Sequence, residues 1–591
     1  MFKKALNLLI FIVFTFSMLV FSVLLYVKYL WPNADYEQIM TTLKDLTFKV
    51  IQTNIYPSDI FFSLLFFLIF WPLSGLKLKA KHQFFATLLL VFGTLYFSGF
   101  LTYAYYSRKT STLYEEEYKF PKDLAIKFPE HRRNLIVIYL ESFENNFKEK
   151  KHYEENLIKN LSSRLKEGNY ATGYHSLLGT NYSIAALVSS QCAIPLRYAK
   201  DRDIWALRYF MPGAVCFPEI LAQNGYQTKI IKAADIRFTS ADLFAKSHGY
   251  KEAMGIDELK RKYPELNDEK YAGCFGGLSD RTLFEYAKRE LNEFNPEQPF
   301  LLTLFSLDTH TPSHHKDPQC KTKFNDLRDA YLCTDSIVED FLGWLEKSPY
   351  WQNTTVVILG DHLLPTRIKT SGHPKRGIFN LFLNLPEGLN INLNKHFSNL
   401  DMAPSILESI GIMLPEHAFG LGRSLFSDTP TLSEKMSRNI NVKLMQNSEI
   451  YNRFRTPDET RKETFMPYVL GQTLTNKNLI AYTDAYDNIL GTYYLDRLNL
   501  LLPDLPSADL KVSLKFQAVT DSGQFILFSA NGNEVARYTP KANEQTPYTI
   551  EFVIKKELIT DGKLQLKFRN NKGVTSAMEM GIAPLSLTID K

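Results

Sequence analysis

Hydrophobic and polar positions fall into three patterns along this chain. The first pattern is long and unbroken. Residues 5–30, 60–76 and 84–105 are nearly all apolar, and Lys28 is the one charge in the first run. At 26, 17 and 22 residues, each run is long enough for a spanning helix, which needs roughly 17–25. The first is too long for a signal-peptide core and lacks a small-x-small exit, so three membrane helices are expected within 1–107. Lys3 and Lys4 precede the first run, and Lys77, Lys79 and Lys81 lie between the second and third. Asp35, Glu37, Asp45 and Asp59 outnumber Lys44 and Lys49 between the first two. The positive-inside rule therefore puts the N-terminus in the cytoplasm and everything after Tyr106 outside.

The second pattern begins after a charged stretch, 108–132, which reads as a linker lying over the membrane surface. Short β-branched runs then recur without helical periodicity: "NLIVIYLES" from Asn134, "PFLLTLFSLDTH" from Pro299 and "TTVVILGDH" from Thr354. Amphipathic helical stretches such as "SDRTLFEYAKRELNEF" separate them. Continuous apolar strands alternating with helices predict an α/β domain, 133–430, around a mainly parallel sheet. The third pattern, over 431–591, is a set of short alternating strands with Asn531-Gly532 as a hairpin signal, and predicts a β-sandwich-like C-terminal domain.

Composition narrows the function. A net charge of +5 over 591 residues leaves no dominant basic stripe, which argues against a nucleic-acid partner. All five cysteines (Cys192, Cys216, Cys274, Cys320, Cys333) follow the last apolar run, in the compartment that permits disulfides. Proximity along the chain suggests Cys192–Cys216 and Cys320–Cys333, although spacing alone does not fix connectivity.

Each strand-like run of the α/β domain ends in groups that bind cations: Glu141, then Asp308 with His310, then Asp361 with His362. Ligands of open parallel sheets gather at the carboxyl ends of the strands. A mixed carboxylate and imidazole set suits Mn²⁺ or Zn²⁺ better than Ca²⁺, with Mg²⁺ as an alternative that normally keeps more water and fewer histidines. Between the first two ends lies "GTNYSIAALVSSQCAIPL", Gly179 to Leu196, with hydroxyls at Thr180 and Ser183. A divalent metal would lower the pKa of such a hydroxyl and neutralise a phosphoryl group, and His310 would protonate the departing alkoxide. If "SIAALVSSQC" starts a helix, Ser183 sits at its N-terminus, where N–H groups favour an anion. Thr180 is better placed to shape the turn, so Ser183 is the preferred nucleophile and Thr180 the alternative.

In this order, "NLIVIYLES", "GTNYSIAALVSSQCAIPL", "FSLDTHTP" and "ILGDHL" resemble the sulfatase-fold branch of the alkaline phosphatase superfamily. Within it the chain is most similar to the membrane-anchored phosphoglycerol transferases. "CFPEILAQNGYQTKII", "ADLFAKSHGY" and "GLGRSL" extend the likeness over roughly 134–425. The resemblance implies that Glu141, Asp361 and His362 hold one divalent metal with the Ser183 oxygen, and that His310 contacts the phosphoryl group. It implies transfer of phosphoglycerol from phosphatidylglycerol to an extracytoplasmic glycan through a phospho-enzyme, with release of diacylglycerol. The setting it implies is a multi-pass protein of the bacterial inner membrane with a periplasmic catalytic domain. These relatives usually carry threonine where this chain has Ser183. The residues that hold glycerol phosphate in lipoteichoic acid synthase have no clean match, and Arg237 is a substitute; Asp308, His373 and Arg376 are further pocket candidates.

Two rival readings remain. One is a phosphoethanolamine transferase for lipid A or a similar glycolipid, but its "GTxTA" and "DHGE" patterns are replaced here by "GTNYSIA" and "DHLLP". The other is a non-catalytic, membrane-tethered glycan-binding protein, which the full set Glu141, Asp361 and His362 disfavours. A sulfatase activated at a Cys-x-Pro-x-Arg motif is disfavoured too, since "CAIPLR" has one residue too many before its proline.

Overall fold

The computed structural model describes residues 80–455, except 167, 198–209, 312, 367, 369, 437 and 438. It also describes scattered positions from 12 to 39, and strands with adjoining turns between 473 and 590. The first expected membrane segment is thus represented only in part, by helical positions such as 12–18, and the second lies outside the described residues. Of the third, helices α1 (Ala80–Phe97) and α2 (Phe100–Tyr106) are described. Among the described residues no single helix is long and apolar enough to cross a membrane. The pair Phe84–Phe97 and Phe100–Tyr106 passes by length and composition but is bent by 64°. The break falls at Gly99, whose φ of 81° leaves the helical region.

The chain divides into two units, one of them Met1–Tyr198 with Gly213–Arg455 and the other Ala199–Pro212 with Thr456–Lys591. In the first, six strands form one sheet: β1 (Asn134–Leu140), β2 (Gln227–Lys232), β3 (Glu252–Met254), β4 (Phe300–Phe305), β5 (Thr354–Gly360) and β6 (Asn380–Leu383). Their order is β3-β2-β4-β1-β5-β6. All neighbours are parallel except β6, which runs against β5. Buried on both faces, β1, β4 and β5 are the three runs whose sequence lacked any polar alternation. Helix α3 (Ser183–Cys192) covers one face of the sheet. Helices α4 (Asp280–Leu291) and α5 (Leu327–Glu346) bury Phe284, Phe341 and Leu345 in one core with Ile136, Leu302 and Val356.

The charged stretch expected to lie over a membrane is instead built into this unit. Leu113, Tyr114 and Tyr118 are buried, and β-bridges join Thr110 to Asn447, Lys119 to Gly420 and Lys127 to Met413. The apolar residues spaced through its charges explain this, since Tyr114 and Tyr118 pack with Tyr451 and Phe454. The same packing carries the unit to Arg455, past the boundary expected at 430.

In the second unit, two four-stranded antiparallel sheets share an apolar core. One comprises Thr473–Thr475, Ile582–Asp590, Leu510–Ala518 and Tyr548–Ile554. The other comprises Asn499–Leu502, Leu564–Asn570, Ile526–Ala530 and Asn533–Tyr538. Val512, Leu514, Phe516, Phe528, Leu566 and Leu587 fill the core. Asn531 and Gly532 make the expected hairpin turn, both at positive φ.

Candidate metal centre

Glu141, Asp361 and His362 come together because β1 and β5 are neighbours in register, Leu140 opposite Gly360. The next residue of each strand therefore emerges at the same edge. Gly360 is required there: a Cβ would sit 1.9 Å from the carbonyl oxygen of Phe143. One ligand atom from each of Glu141, Asp361 and His362 lies within 4.8 Å of the others, and all three residues are buried.

Ser183 joins them from the first turn of α3. Its Oγ lies 3.2 Å from Glu141 Oε2, to which it donates, and 3.4 Å from His362 Nε2. The helix is held against the sheet by Tyr139, whose hydroxyl lies 2.7 Å from Ser190 Oγ. Gly179 lets the preceding loop close, with φ of 72° and Leu196 O only 2.6 Å from where a Cβ would be. Thr180 does a different job. Its buried hydroxyl donates to Leu177 O at 2.9 Å and accepts from Leu177 N at 3.3 Å, closing the turn.

The carboxylates are aimed by backbone donors. Asp361 Oδ1 accepts from Ser142 N at 2.7 Å and from His362 N at 2.8 Å. Its Oδ2 is buried without a hydrogen bond, although His362 Nε2 is 3.3 Å away. Ser142 has a φ of 55°, a left-handed conformation uncommon for serine. That turn sends its N–H to Asp361, while its hydroxyl donates to Glu141 Oε1 at 2.8 Å. His362 Nδ1 lies 2.9 Å from Leu363 O, so the neutral ring carries its proton there and leaves the Nε2 lone pair facing the centre. Asn399 holds the Asp361 carbonyl at 2.8 Å, and Tyr174 holds Asn399.

Burial pushes the Asp361 carboxyl up to about 7, with Glu141 adding to the rise. Burial also acts to raise Glu141, but His310, His362 and the hydroxyls of Ser142 and Ser183 outweigh it and hold it below its ordinary value. His362 is raised, because Asp361 and Glu141 outweigh its burial. Two carboxylates, an open imidazole nitrogen, a hydroxyl and an orphaned Asp361 oxygen are the donor set a divalent cation requires, and the residues fit one.

The remaining candidates are placed as follows. His310 turns its ring edge-on to Phe275 at 4.8 Å, with Nδ1 buried and unbonded. Its pKa is lowered by burial, with Glu141 opposing. Asp308 Oδ2 accepts from Asp280 N at 2.8 Å, and burial beside Asp280 raises the carboxyl well above its usual range. Arg237 is ion-paired with Asp235 at 2.6 Å and with Asp257, so its guanidinium is already engaged. Arg376 donates to Glu144 Oε2 at 2.9 Å, and His373 is exposed on a loop. Cys192 is joined to Cys216 at the far end of α3 and Cys320 to Cys333, which leaves Cys274 as a free, buried thiol.

Sequence reasoning missed Ser142, Asn399 and Lys232. Lys232 ends β2 buried, and its signal was a charge closing the apolar run "TKIIK".

Residues 133–412 match the sulfatase family model. Phosphoglycerol transferase I of Salmonella paratyphi B is 28% identical over 418 residues, covering 67% of this chain and 51% of that protein. Its counterpart in Escherichia coli O127:H6 is 28% identical over 416 residues, with the same coverage. The chain thus spans about half the length of the curated relatives it matches. Among solved structures, the lipoteichoic acid synthase LtaP of Listeria monocytogenes is 18% identical with a TM-score of 0.41, covering 52% of this chain and 79% of that one.

Proposed function

With a sulfatase-family domain over residues 133–412 as the premise, we propose that this chain transfers phosphoglycerol from phosphatidylglycerol to an extracytoplasmic glycan and releases diacylglycerol. One observation carries the reading: the Ser183 hydroxyl, at a helix N-terminus, lies within 3.4 Å of Glu141 and His362. The relatives named phosphoglycerol transferase I support the choice of head group. A domain tethered outside the membrane suits a lipid donor, and the periplasmic side of an inner membrane is the setting proposed.

Glu141, Asp361, His362 and the Ser183 oxygen would hold one Mn²⁺ or Zn²⁺, which would lower the pKa of the hydroxyl and offset phosphoryl charge. The N-terminus of α3 turns its free N–H groups toward the same anion. Ser183 Oγ bonds to phosphorus as the bond from phosphorus to the diacylglycerol oxygen breaks. Ser183 yields its proton to Glu141, to which its hydroxyl already donates, and His310 protonates the leaving oxygen. The glycan hydroxyl then attacks the phosphoserine by the reverse sequence, and Ser183 recovers its proton.

The test is to incubate the purified full chain with Mn²⁺ and labelled phosphatidylglycerol or phosphatidylethanolamine. Diacylglycerol release from phosphatidylglycerol, with phosphoglycerol trapped on the peptide containing Ser183, is expected. Release from phosphatidylethanolamine alone would transfer the assignment to phosphoethanolamine. Binding of metal without release from either lipid would favour a glycan-binding role.

A further inference from the structure

Lys232 is the last residue of β2, and in the sheet register it lies opposite Phe305 of β4, which lies opposite Tyr139 of β1. The Tyr139 and Phe305 rings stack at 5.1 Å, and Lys232 Nζ lies 5.8 Å from the Phe305 ring centre. All three side chains are therefore on one face of the sheet. Tyr139 bonds Ser190 of α3 there, so this is the face whose covering helix begins with Ser183. Glu141, two residues beyond Tyr139, shares that face by strand alternation.

The ammonium is buried, with Lys232 only 7% exposed, yet it is poorly satisfied. Its hydrogen bond is a long one, 3.4 Å to Phe238 O, and among the described residues it forms no ion pair. Besides the Phe305 ring it faces that of Phe238, with Nζ 5.5 Å from the ring centre, and neither is an anion. Burial pulls its pKa down to about 8, while Glu141, Asp235 and Asp361 act at longer range to hold the charge. Lys229, three positions earlier on the opposite face, contacts Glu252 at 2.9 Å as well as Glu290. A buried cation that could have been paired like its neighbour, but is not, is poised for an anion from outside the chain.

We propose that Lys232 donates to a non-bridging oxygen of the substrate phosphodiester and holds that anion against Ser183. This assignment rests on reading the centre as a phosphoryl-transfer site. It also accounts for Arg237, whose engagement with Asp235 and Asp257 leaves Lys232 to receive the phosphate.

The test uses the full chain loaded with Mn²⁺, bis(p-nitrophenyl) phosphate as substrate and inorganic phosphate as competitive inhibitor. Wild-type hydrolysis is measured first; if Mn²⁺-loaded protein cleaves neither this diester nor phosphatidylglycerol, the premise fails and the proposal with it. Given activity, Lys232→Met should keep its Mn²⁺ stoichiometry and Tm, while the inhibition constant for phosphate rises at least tenfold and kcat/KM falls about 100-fold. Lys232→Arg, which restores a charge, should recover part of the phosphate affinity. A phosphate constant within twofold of wild type in Lys232→Met would overturn the role of Lys232 and leave the phosphoryl-transfer reading intact. Should the variants not fold, amine labelling of Lys232 in the wild type, located by peptide mapping, decides: inorganic phosphate should slow it at least fivefold, and unchanged labelling overturns the proposal.

Discussion

Two buried clusters of charge flank the same sheet, and they are resolved in opposite ways. Around Lys229, Glu290 is fully enclosed and meets Lys229, Lys262 at 2.7 Å and the Tyr263 hydroxyl at 2.9 Å. Around Asp361, Glu141 shares the site with a second carboxylate, and Asp361 Oδ2 has no hydrogen bond. Both clusters meet the desolvation penalty of buried ions. The first meets it with partners from the chain and is structural. The second leaves like charges facing each other, an arrangement that calls for a cation from outside.

The largest expected contrast concerns the hydroxyls. Ser183→Ala should lower diacylglycerol release by at least about 10⁴-fold and abolish the trapped phospho-enzyme, as loss of a nucleophile typically does. If the label persists and only Thr180→Ala removes it, the nucleophile has been misassigned.

Next come the two carboxylate clusters, where opposite signatures are expected. Asp361→Asn should weaken Mn²⁺ binding by at least about 100-fold, beyond the effect of losing an outer partner of a ligand. The metal-free variant should melt no lower than wild type, because its repulsion with Glu141 is gone. Glu290→Gln should do the reverse: it should cost about 3 kcal/mol in denaturant unfolding, with Mn²⁺ stoichiometry unchanged. Equal loss of metal in both variants would erase the distinction between the clusters.

pH separates them further. In the metal-free protein Asp361 is pushed up to about 7 and His362 is raised, so metal must displace protons below that pH. Apparent Mn²⁺ affinity should therefore fall as pH drops from 8 to 6, by about tenfold per unit for each proton displaced. Glu290 is depressed and Lys229 raised, in each case because their mutual bonds outweigh burial. The stabilisation from Glu290 is present above its unfolded pKa and lost as pH falls through the depressed value. That from Lys229 is present below its unfolded pKa and lost as pH rises through the raised value. Between about pH 5 and 9 both are therefore retained, and the cluster's contribution should be flat. Urea titrations and Mn²⁺ titrations across this range check both halves.

The smallest effect belongs to Thr180→Ala. It removes two backbone hydrogen bonds at Leu177 and should cost about 1–2 kcal/mol of stability, with the phospho-enzyme still formed.

Much of this was legible before any coordinates. β1, β4 and β5 were visible as apolar runs because both their faces are covered, and the residues closing β1 and β5 are the ones that converge. The start of α3 at Ser183 was visible from the change between "GTNY" and "SIAALV". β2 escaped recognition because Lys229 and Lys232 interrupt it, and the glutamates that answer Lys229 lie far along the chain. Arg237 looked available although Asp235 stands two residues before it, because its second partner, Asp257, is twenty residues away and arrives only through folding. The stretch 108–132 looked like a surface linker because local composition weighs its charges and misses the pocket that receives Tyr114 and Tyr118.

By itself, then, the sequence determined the kinds of element, their order and the chemistry at the strand ends, since periodicity and residue type act over a few neighbours. Tertiary structure decided which charges are paired. It gave Lys229 its glutamates and left Lys232 without one, and it set Ser183 rather than Thr180 beside Glu141 and His362. Those outcomes depend on strand register and helix docking, which bring together residues that no local pattern relates.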